Sequence, residues 1–290
     1  MNDLEKIHVP AEWHAVLEKI PGGEVMVIGG TDTGKSTFVR WLTVRLLNRF
    51  QRVGWIDCDV GQSTLGLPST LNMSLLGPSD SAATPPDKVF FVGATSPRGH
   101  MLPMLVGAER LVQSARTAGI ECLVTDTTGI VSAASGGGAL KQWKIELLRP
   151  DIVVAFEHHR ELDHILQPLE KSLKPTVHRL RPSPAVQFRE PHMLESLRWQ
   201  RYRSYFSGAV QRHIPVRNRP VFNSEKAAEG SLTALQNASG FCLSIGILSH
   251  LTERTIELIA PRTDLGTLAG IRFGNIRIDA DSLREKSPAP

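Results

Sequence analysis

A nine-residue segment, Gly29-Gly30-Thr31-Asp32-Thr33-Gly34-Lys35-Ser36-Thr37, restricts the fold more than any other part of this chain. It follows a strand-like run, Glu24-Val25-Met26-Val27-Ile28, and precedes a helix-like pattern over residues 38–50. Strand, G-x-x-x-x-G-K-S, helix is the context that a phosphate-binding loop requires, so a chance Gly-rich turn is the weaker reading. Glycines let backbone N–H groups close around phosphate oxygens, and the helix N-terminus adds the positive end of its dipole. Lys35 can reach the β- and γ-phosphates of a bound nucleoside triphosphate, and the Ser36 hydroxyl is placed to bind Mg²⁺.

Further apolar runs alternate with helical patterns. Strand-like segments fall at residues 53–58, 88–92, 121–125, 151–156 and 175–178, with a helix over about 102–117. Continuous apolar strands separated by helices predict an α/β fold with a mostly parallel sheet flanked by helices, and ligands at the carboxyl ends of its strands. Residues 223–240 are small, polar and turn-prone and read as a linker. Three short strand-like runs follow, at 241–248, 255–260 and 270–278. The expected organisation is therefore a P-loop domain over residues 1–220 and a small β-rich C-terminal module over 221–290, with a disordered tail from about 284.

No apolar run approaches the roughly 20 residues of a membrane span. The start, Met1-Asn2-Asp3-Leu4-Glu5-Lys6, lacks the layout of a secretory signal, so a cytoplasmic protein is expected. Cys58, Cys122 and Cys242 each sit in a strand-like run without metal-ligand spacing and read as small buried hydrophobes. The net charge of +4 is unevenly spread: residues 179–219 hold nine arginines, no lysine and only Glu190 and Glu195 as acids. Arginine at every position favours planar contact with phosphates over a merely solvated basic face.

Two strand ends carry carboxylates. In Asp57-Cys58-Asp59-Val60-Gly61-Gln62-Ser63, strand alternation points Asp57 and Asp59 to one side. One could accept a proton from an attacking hydroxyl while the other holds a metal water, and Gln62 could orient the nucleophile or the metal shell. The bland alternative is that both acids cap a turn or pair with arginines. Asp126 ends residues 122–125 where a Walker B acid belongs, on Mg²⁺ directly or through water. Thr127-Thr128-Gly129 leads on to Gly136-Gly137-Gly138, a mobile, anion-friendly loop or a plain connection, and Gly93-Ala94-Thr95-Ser96-Pro97 ends a third strand with hydroxyls and a proline.

Between Pro191 and Gly208 lies a helical pattern in which Leu194, Leu197, Arg198, Arg201 and Tyr205 share one face. Arginines on an inward stripe need anionic partners. Glu195 could supply one and a bound triphosphate more, while arginine stems packed on a surface groove are the alternative.

These motifs together resemble the polynucleotide 5′-hydroxyl kinase family of P-loop proteins. That family includes the RNA kinase subunit of eukaryotic mRNA 3′-end processing, ribosomal-RNA-processing kinases and archaeal RNA kinases. The resemblance rests on five ordered motifs: Gly29 to Thr37, Asp-x-Gly-Gln-Ser at 59–63, Gly-x-Thr-Ser-Pro at 93–97, Thr-x-Gly at 127–129, and Arg-Tyr-Arg-x-Tyr-Phe-x-Gly at 201–208. It implies that Lys35 and Ser36 hold ATP and Mg²⁺, that Thr37 supports the α-phosphate and that Asp59 is the general base on a 5′-hydroxyl, with Gln62 beside the metal. It also implies that Gly136–Gly138 form part of a clasp over the substrate, and that Arg198 or Arg201 is the charge-balancing arginine of a lid near 187–208. Asp57, Thr95, Pro97 and Thr127 stand near the expected substrate. Ile130 occupies a place where relatives often carry tryptophan, so a base-stacking contact has to come from elsewhere, Trp143 being one candidate. The large N-terminal β-domain of eukaryotic members has no counterpart before residue 24.

The expected activity is ATP-dependent phosphorylation of the 5′-hydroxyl end of RNA, or of DNA. Another P-loop NTPase (a small-molecule kinase or ATPase) and a nucleotide-binding scaffold without turnover are the alternatives.

Overall fold

The computed structural model describes residues 7–80 and 85–286; the first six residues, whose composition bore on localisation, and the last four lie outside that range. The chain begins with α1 (Ala11–Glu18), β1 (Gly23–Gly29), α2 (Lys35–Leu46), β2 (Val53–Cys58), β3 (Thr70–Leu76), β4 (Lys88–Phe91) and α3 (Met101–Thr117). β5 (Cys122–Thr127), α4 (Gly137–Leu148), β6 (Ile152–Phe156), α5 (Asp163–Glu170), β7 (Thr176–Leu180) and α6 (Pro191–Tyr205) follow. The first sheet has the order β4-β3-β2-β5-β1-β6-β7. β2, β5, β1, β6 and β7 run parallel, and β2, β5 and β6 are buried along their whole length, which explains why they are apolar apart from polar residues at the carboxyl ends of β2 and β5.

Helices cover both faces. On one side α1 and α2 pack Trp13, Phe38 and Trp41 against β-strand residues such as Val27 and Phe156. The Trp13 and Phe38 rings meet edge-to-face with centroids 5.1 Å apart. On the other side α3, α4 and α5 bury Met104, Leu111, Leu140 and Ile165 against Met26, Ile56 and Val153.

The sequence did not disclose β3. It pairs antiparallel with β2 and β4 and carries Thr70, Asn72 and Ser74 into the interior, so it lacks the apolar signature of its neighbours. Thr70 and Asn72 are satisfied locally, Asn72 Nδ2 donating to Ser63 Oγ and Thr70 Oγ1, each at 3.0 Å, whereas the Ser74 hydroxyl has no partner among the described residues.

The second sheet has the order β8-β12-β11-β10-β13-β9, formed by β8 (Val210–Pro215), β9 (Val221–Phe222), β10 (Ser231–Gln236), β11 (Cys242–Leu251), β12 (Thr255–Ala260) and β13 (Gly270–Arg277). Two expectations change here. The second sheet begins at Val210, upstream of the expected start at 221, because β8 pairs along its whole length with β12. Residues 231–236 are not linker but the buried strand β10, flanked by β11 and β13. Its residues Ser231, Thr233 and Gln236 disguised it as a turn-prone segment. Arg284–Lys286 are also ordered, tied back by Lys286 N donating to the Arg277 carbonyl.

Tyr202 and Phe206 at the end of α6 join Phe91, Leu232, Ile245 and Ile278 in one apolar cluster, so the two sheets share a core. Cys58 and Cys122 are buried as expected, Cys242 is partly exposed, and all three are free thiols. Among the described residues no helix is long and apolar enough to cross a membrane.

Candidate active site

The carboxyl ends of β1, β2, β5 and β7 open on one cavity of about 830 Å³. Its wall includes Thr31 to Thr37, Asp59, Gln62, Thr95, Pro97, Thr128 to Ile130, Arg189 and Arg198. Gly34 is the N-cap of α2 at φ 85°, ψ 8°, a left-handed turn that glycine adopts without strain and that brings the chain into the helix. Thr33 Oγ1 donates to the Gly30 carbonyl at 2.9 Å, bracing the loop. Lys35 is buried and also donates to the Gly30 carbonyl, so its ammonium lies within the curl of the loop. Burial pushes the Lys35 pKa down, against the opposing pull of Asp126, Asp59 and Asp32.

The three acids occupy different environments. Asp57 and Asp126 stand side by side in register on β2 and β5. Asp57 is fully buried and turned into the loop that follows it. Its Oδ1 accepts the Asp59 N–H at 2.9 Å, and its Oδ2 accepts the Ser63 hydroxyl at 2.9 Å and the Thr64 and Leu65 N–H groups. The substrate-facing position expected for Asp57 is thus corrected: it caps the loop, as the bland reading had it. Asp59 lies on the cavity wall, and its Oδ1 accepts the N–H groups of Gly61 and Gln62, both at 2.9 Å. The carboxylate is held by one oxygen and keeps Oδ2 for another partner.

Asp126 Oδ1 accepts the Thr127 N–H at 2.8 Å, whereas its buried Oδ2 has no hydrogen-bond partner among the described residues. Burial, then the neighbouring Asp57, raise the Asp126 pKa to about 7, while Lys35 and the Ser36 hydroxyl pull it down. An orphaned carboxylate oxygen beside a serine hydroxyl at a phosphate loop suits Mg²⁺, which takes oxygen ligands from one or two carboxylates and from substrate phosphates. Ser36 and Asp126 therefore fit the ion, and Gln62 lies on the same wall, its Nε2 donating to the Leu194 carbonyl of α6 at 3.3 Å.

Thr95 and Pro97 border the cavity. Thr127 does not: it is buried, and its hydroxyl donates to the Val27 carbonyl at 2.7 Å. Its neighbours Thr128, Gly129 and Ile130 form that wall instead. A Cβ on Gly129 would sit 2.5 Å from Thr31 Oγ1, so this glycine lets the β5 turn touch the phosphate loop. Gly136–Gly138 are also corrected. Gly136 is the left-handed N-cap of α4, and Gly137 and Gly138 are buried helical residues packed on the 130–131 backbone and His164, away from the cavity wall.

Most of the arginine-rich segment is committed to protein partners. Arg179 pairs with Glu157, Asp163 and Glu170. Arg201 is exposed and donates to the Thr64 carbonyl at 3.2 Å, off the cavity. Arg198 does line the cavity, and its Nε donates to Glu285 Oε1 at 2.7 Å; Glu195, the expected partner, is exposed. The buried stripe of α6 runs through Tyr202 rather than Leu197, which is 41% exposed.

Several groups escaped sequence reasoning. Arg189 pairs with Asp32 of the phosphate loop at 2.8 Å. Lys141 on α4 is fully buried and donates to the Thr128 carbonyl at 2.6 Å and hydroxyl at 3.0 Å, and burial pushes its pKa well down. Lys144, also buried, leaves its Nζ without a partner among the described residues. Two lysines three residues apart, interleaved with Leu140, Ile145 and Leu148 on an apolar face, were the available signal. Trp143 of the same helix is 59% exposed.

The chain is 27% identical over 94% of its length to a protein named polyribonucleotide 5′-hydroxyl-kinase in Pyrococcus abyssi, of which 94% is covered. It is 25% identical over 88% of its length to one of the same description in Methanocaldococcus jannaschii, of which 87% is covered. Its fold matches Clp1p as solved in the wild-type Clp1p–Pcf11p complex, with a TM-score of 0.69 at 15% identity, covering 92% of this chain and 78% of that one. Residues 29–208, from the phosphate loop to just past α6, match the model described as mRNA cleavage and polyadenylation factor CLP1 P-loop, and the chain belongs to that family.

Proposed function

We propose that this protein is an ATP-dependent polynucleotide 5′-hydroxyl kinase that transfers the γ-phosphoryl group to the 5′ end of RNA, and of DNA where the end fits. The observation that carries the reading is one cavity bordered by the phosphate loop, the anchored carboxylate Asp59 and the lid arginine Arg198. The names of the archaeal relatives, matched over nearly their whole length, support it.

In this reading the backbone N–H groups of residues 30–36 and the Lys35 ammonium bind the triphosphate, with Thr37 toward the α-phosphate. Ile7, His8, Ser183 and Val186 extend the cavity, Val186 lying against Gly34, and receive the nucleoside. The 5′-hydroxyl enters from the side of Gln62, Thr95 and Pro97. Asp59 Oδ2 takes the hydroxyl proton as the oxygen bonds to the γ-phosphorus and the bond to the β-bridging oxygen breaks, releasing ADP. Ser36 and Asp126 would hold Mg²⁺, which would supply charge neutralisation on the phosphate oxygens. Lys35 and Arg198 balance the negative charge that spreads over the transferred group, where positioning and electrostatics supply most of the rate.

The test incubates the protein with γ-labelled ATP, Mg²⁺ and 5′-hydroxyl RNA or DNA oligonucleotides, beside 5′-phosphorylated controls and the Lys35→Ala variant. Label on 5′-hydroxyl ends with wild type alone is the expected outcome. Release of free phosphate without label on any oligonucleotide would make it another P-loop NTPase, and ATP binding without either product would make it a scaffold.

A further inference from the structure

The helix that carries Arg198 is held chiefly by the second sheet and the segment after it. Tyr202 is fully buried and Phe206 nearly so against Leu232, Ile245 and Ile278. Tyr205 Oη accepts the Ile245 N–H at 2.9 Å. Trp199 Nε1 donates to the Ser282 carbonyl at 2.8 Å, and the Arg284 guanidinium lies 5.0 Å above the Trp199 ring.

Glu285 completes this set. Residues 277–286 form a closed turn: Asp279 N donates to the Arg284 carbonyl at 2.9 Å, Lys286 N donates to the Arg277 carbonyl at 2.8 Å, and Ile278 bridges to Glu285. From that base Glu285 Oε1 accepts Arg198 Nε at 2.7 Å, with the two side chains only 29% and 17% exposed. A guanidinium is planar, with its donors in a fixed fork, so a carboxylate on Nε sets the plane of the group while the Nη donors stay available.

We propose that Glu285 is a positioning residue that presets Arg198 for the γ-phosphoryl group, making the C-terminal segment a working part of the lid. An unheld arginine stem must lose rotamer freedom as the transition state forms. One already fixed in its productive orientation acts without that reorganisation. The inference rests on the proposed kinase reading, in which Arg198 faces the transferred group.

The test is a double-mutant cycle of Arg198→Ala and Glu285→Gln in the full chain, reading kcat, ATP Kd and Tm separately. Arg198→Ala is expected to lower kcat by at least about 100-fold, since an arginine in this role is worth 10³ or more in other phosphoryl transfers. Glu285→Gln is expected to lower kcat roughly tenfold, with ATP Kd within about twofold and Tm unchanged, and to have no further effect in the Arg198→Ala background. Glu285→Asp should recover part of the loss. An equal effect of Glu285→Gln in both backgrounds, or a fall in Tm that accounts for the lost activity, overturns the positioning role. So does unchanged kcat in Glu285→Gln when Arg198→Ala is impaired. If wild type transfers no label, the kinase reading fails first and this inference with it.

Discussion

Three aspartates within two adjacent strand ends have different roles because their surroundings differ. Asp59 has one oxygen anchored by backbone and borders the cavity. Asp59→Asn should therefore reduce phosphate transfer by about 10²–10⁴, the usual span for a lost general base, with ATP affinity unchanged in an equilibrium binding assay. Asp57 instead satisfies four donors in a buried loop. Asp57→Asn turns an amide donor toward N–H groups and should destabilise the fold by about 1–3 kcal/mol, measured by urea unfolding. Asp126 carries a pH signature. Burial raises its pKa from the ordinary carboxylate range to about 7 in the fold, so between the two the folded state binds the extra proton. The stability this contributes is full below about pH 4 and is lost as pH rises toward 7. Asp126→Asn should then melt a few degrees above wild type at pH 8 in the ligand-free state, converge with it near pH 4, and lose transfer activity at every pH. A wild-type melting temperature that does not fall from pH 4 to pH 8 relative to the variant would contradict the raised pKa.

At the scale of elements, the site is an arrangement of strand ends braced by helices. β1 and α2 deliver the phosphate loop, β2 delivers Asp59, β5 delivers Asp126 and the Thr128 wall, and α6 delivers Arg198. α4 acts from behind: buried Lys141 ties the Thr128 carbonyl and hydroxyl to the helix. Lys141→Met leaves the buried Thr128 carbonyl and hydroxyl without this donor and should destabilise the fold by about 1–3 kcal/mol. Turnover should fall several-fold, since Thr128 would no longer be held against the cavity; full activity in the oligonucleotide assay would show that this brace is dispensable. Elements of strong period were legible in sequence. β3 and β10 were not, because their interior positions carry serine, threonine, asparagine and glutamine, which mimic the composition of a turn.

Across the whole molecule, the second sheet shares a core with the first and touches it closely at Gly274 and Asn275. Asn275 N donates to the Gly93 carbonyl at 2.8 Å, and Gly274 packs on Phe91 and Gly93. A Cβ at Gly274 would lie 2.8 Å from Phe91 Cζ and 2.9 Å from Gly93 Cα. Gly274→Ala should accordingly cost about 1–3 kcal/mol through overpacking, seen as a lower midpoint in denaturant. Because α6 leans on that sheet, the variant should also lose kcat while keeping ATP affinity; a loss of affinity alone would mean that the sheet does not act through α6.

The sequence by itself determined the α/β class, the phosphate loop with Lys35 and Ser36, the acid at Asp126, Asp59 and Gln62 after β2, and an arginine-bearing helix near residue 198. Each of these depends on contiguous residues whose periodicity and backbone demands are local. Only the tertiary structure decided which acid faces the cavity, which arginines are spent on protein partners, that the glycines at 136–138 start a helix, and where the second sheet begins. Asp57 and Asp59 obey the same alternation, and it is the loop folding back on Asp57 that separates them. Arg198 and Glu285 are 87 residues apart, and no local pattern marks one as the partner of the other. Such pairings arise when strands distant in sequence close into sheets and bring otherwise ordinary surface residues to a shared, partly desolvated seam.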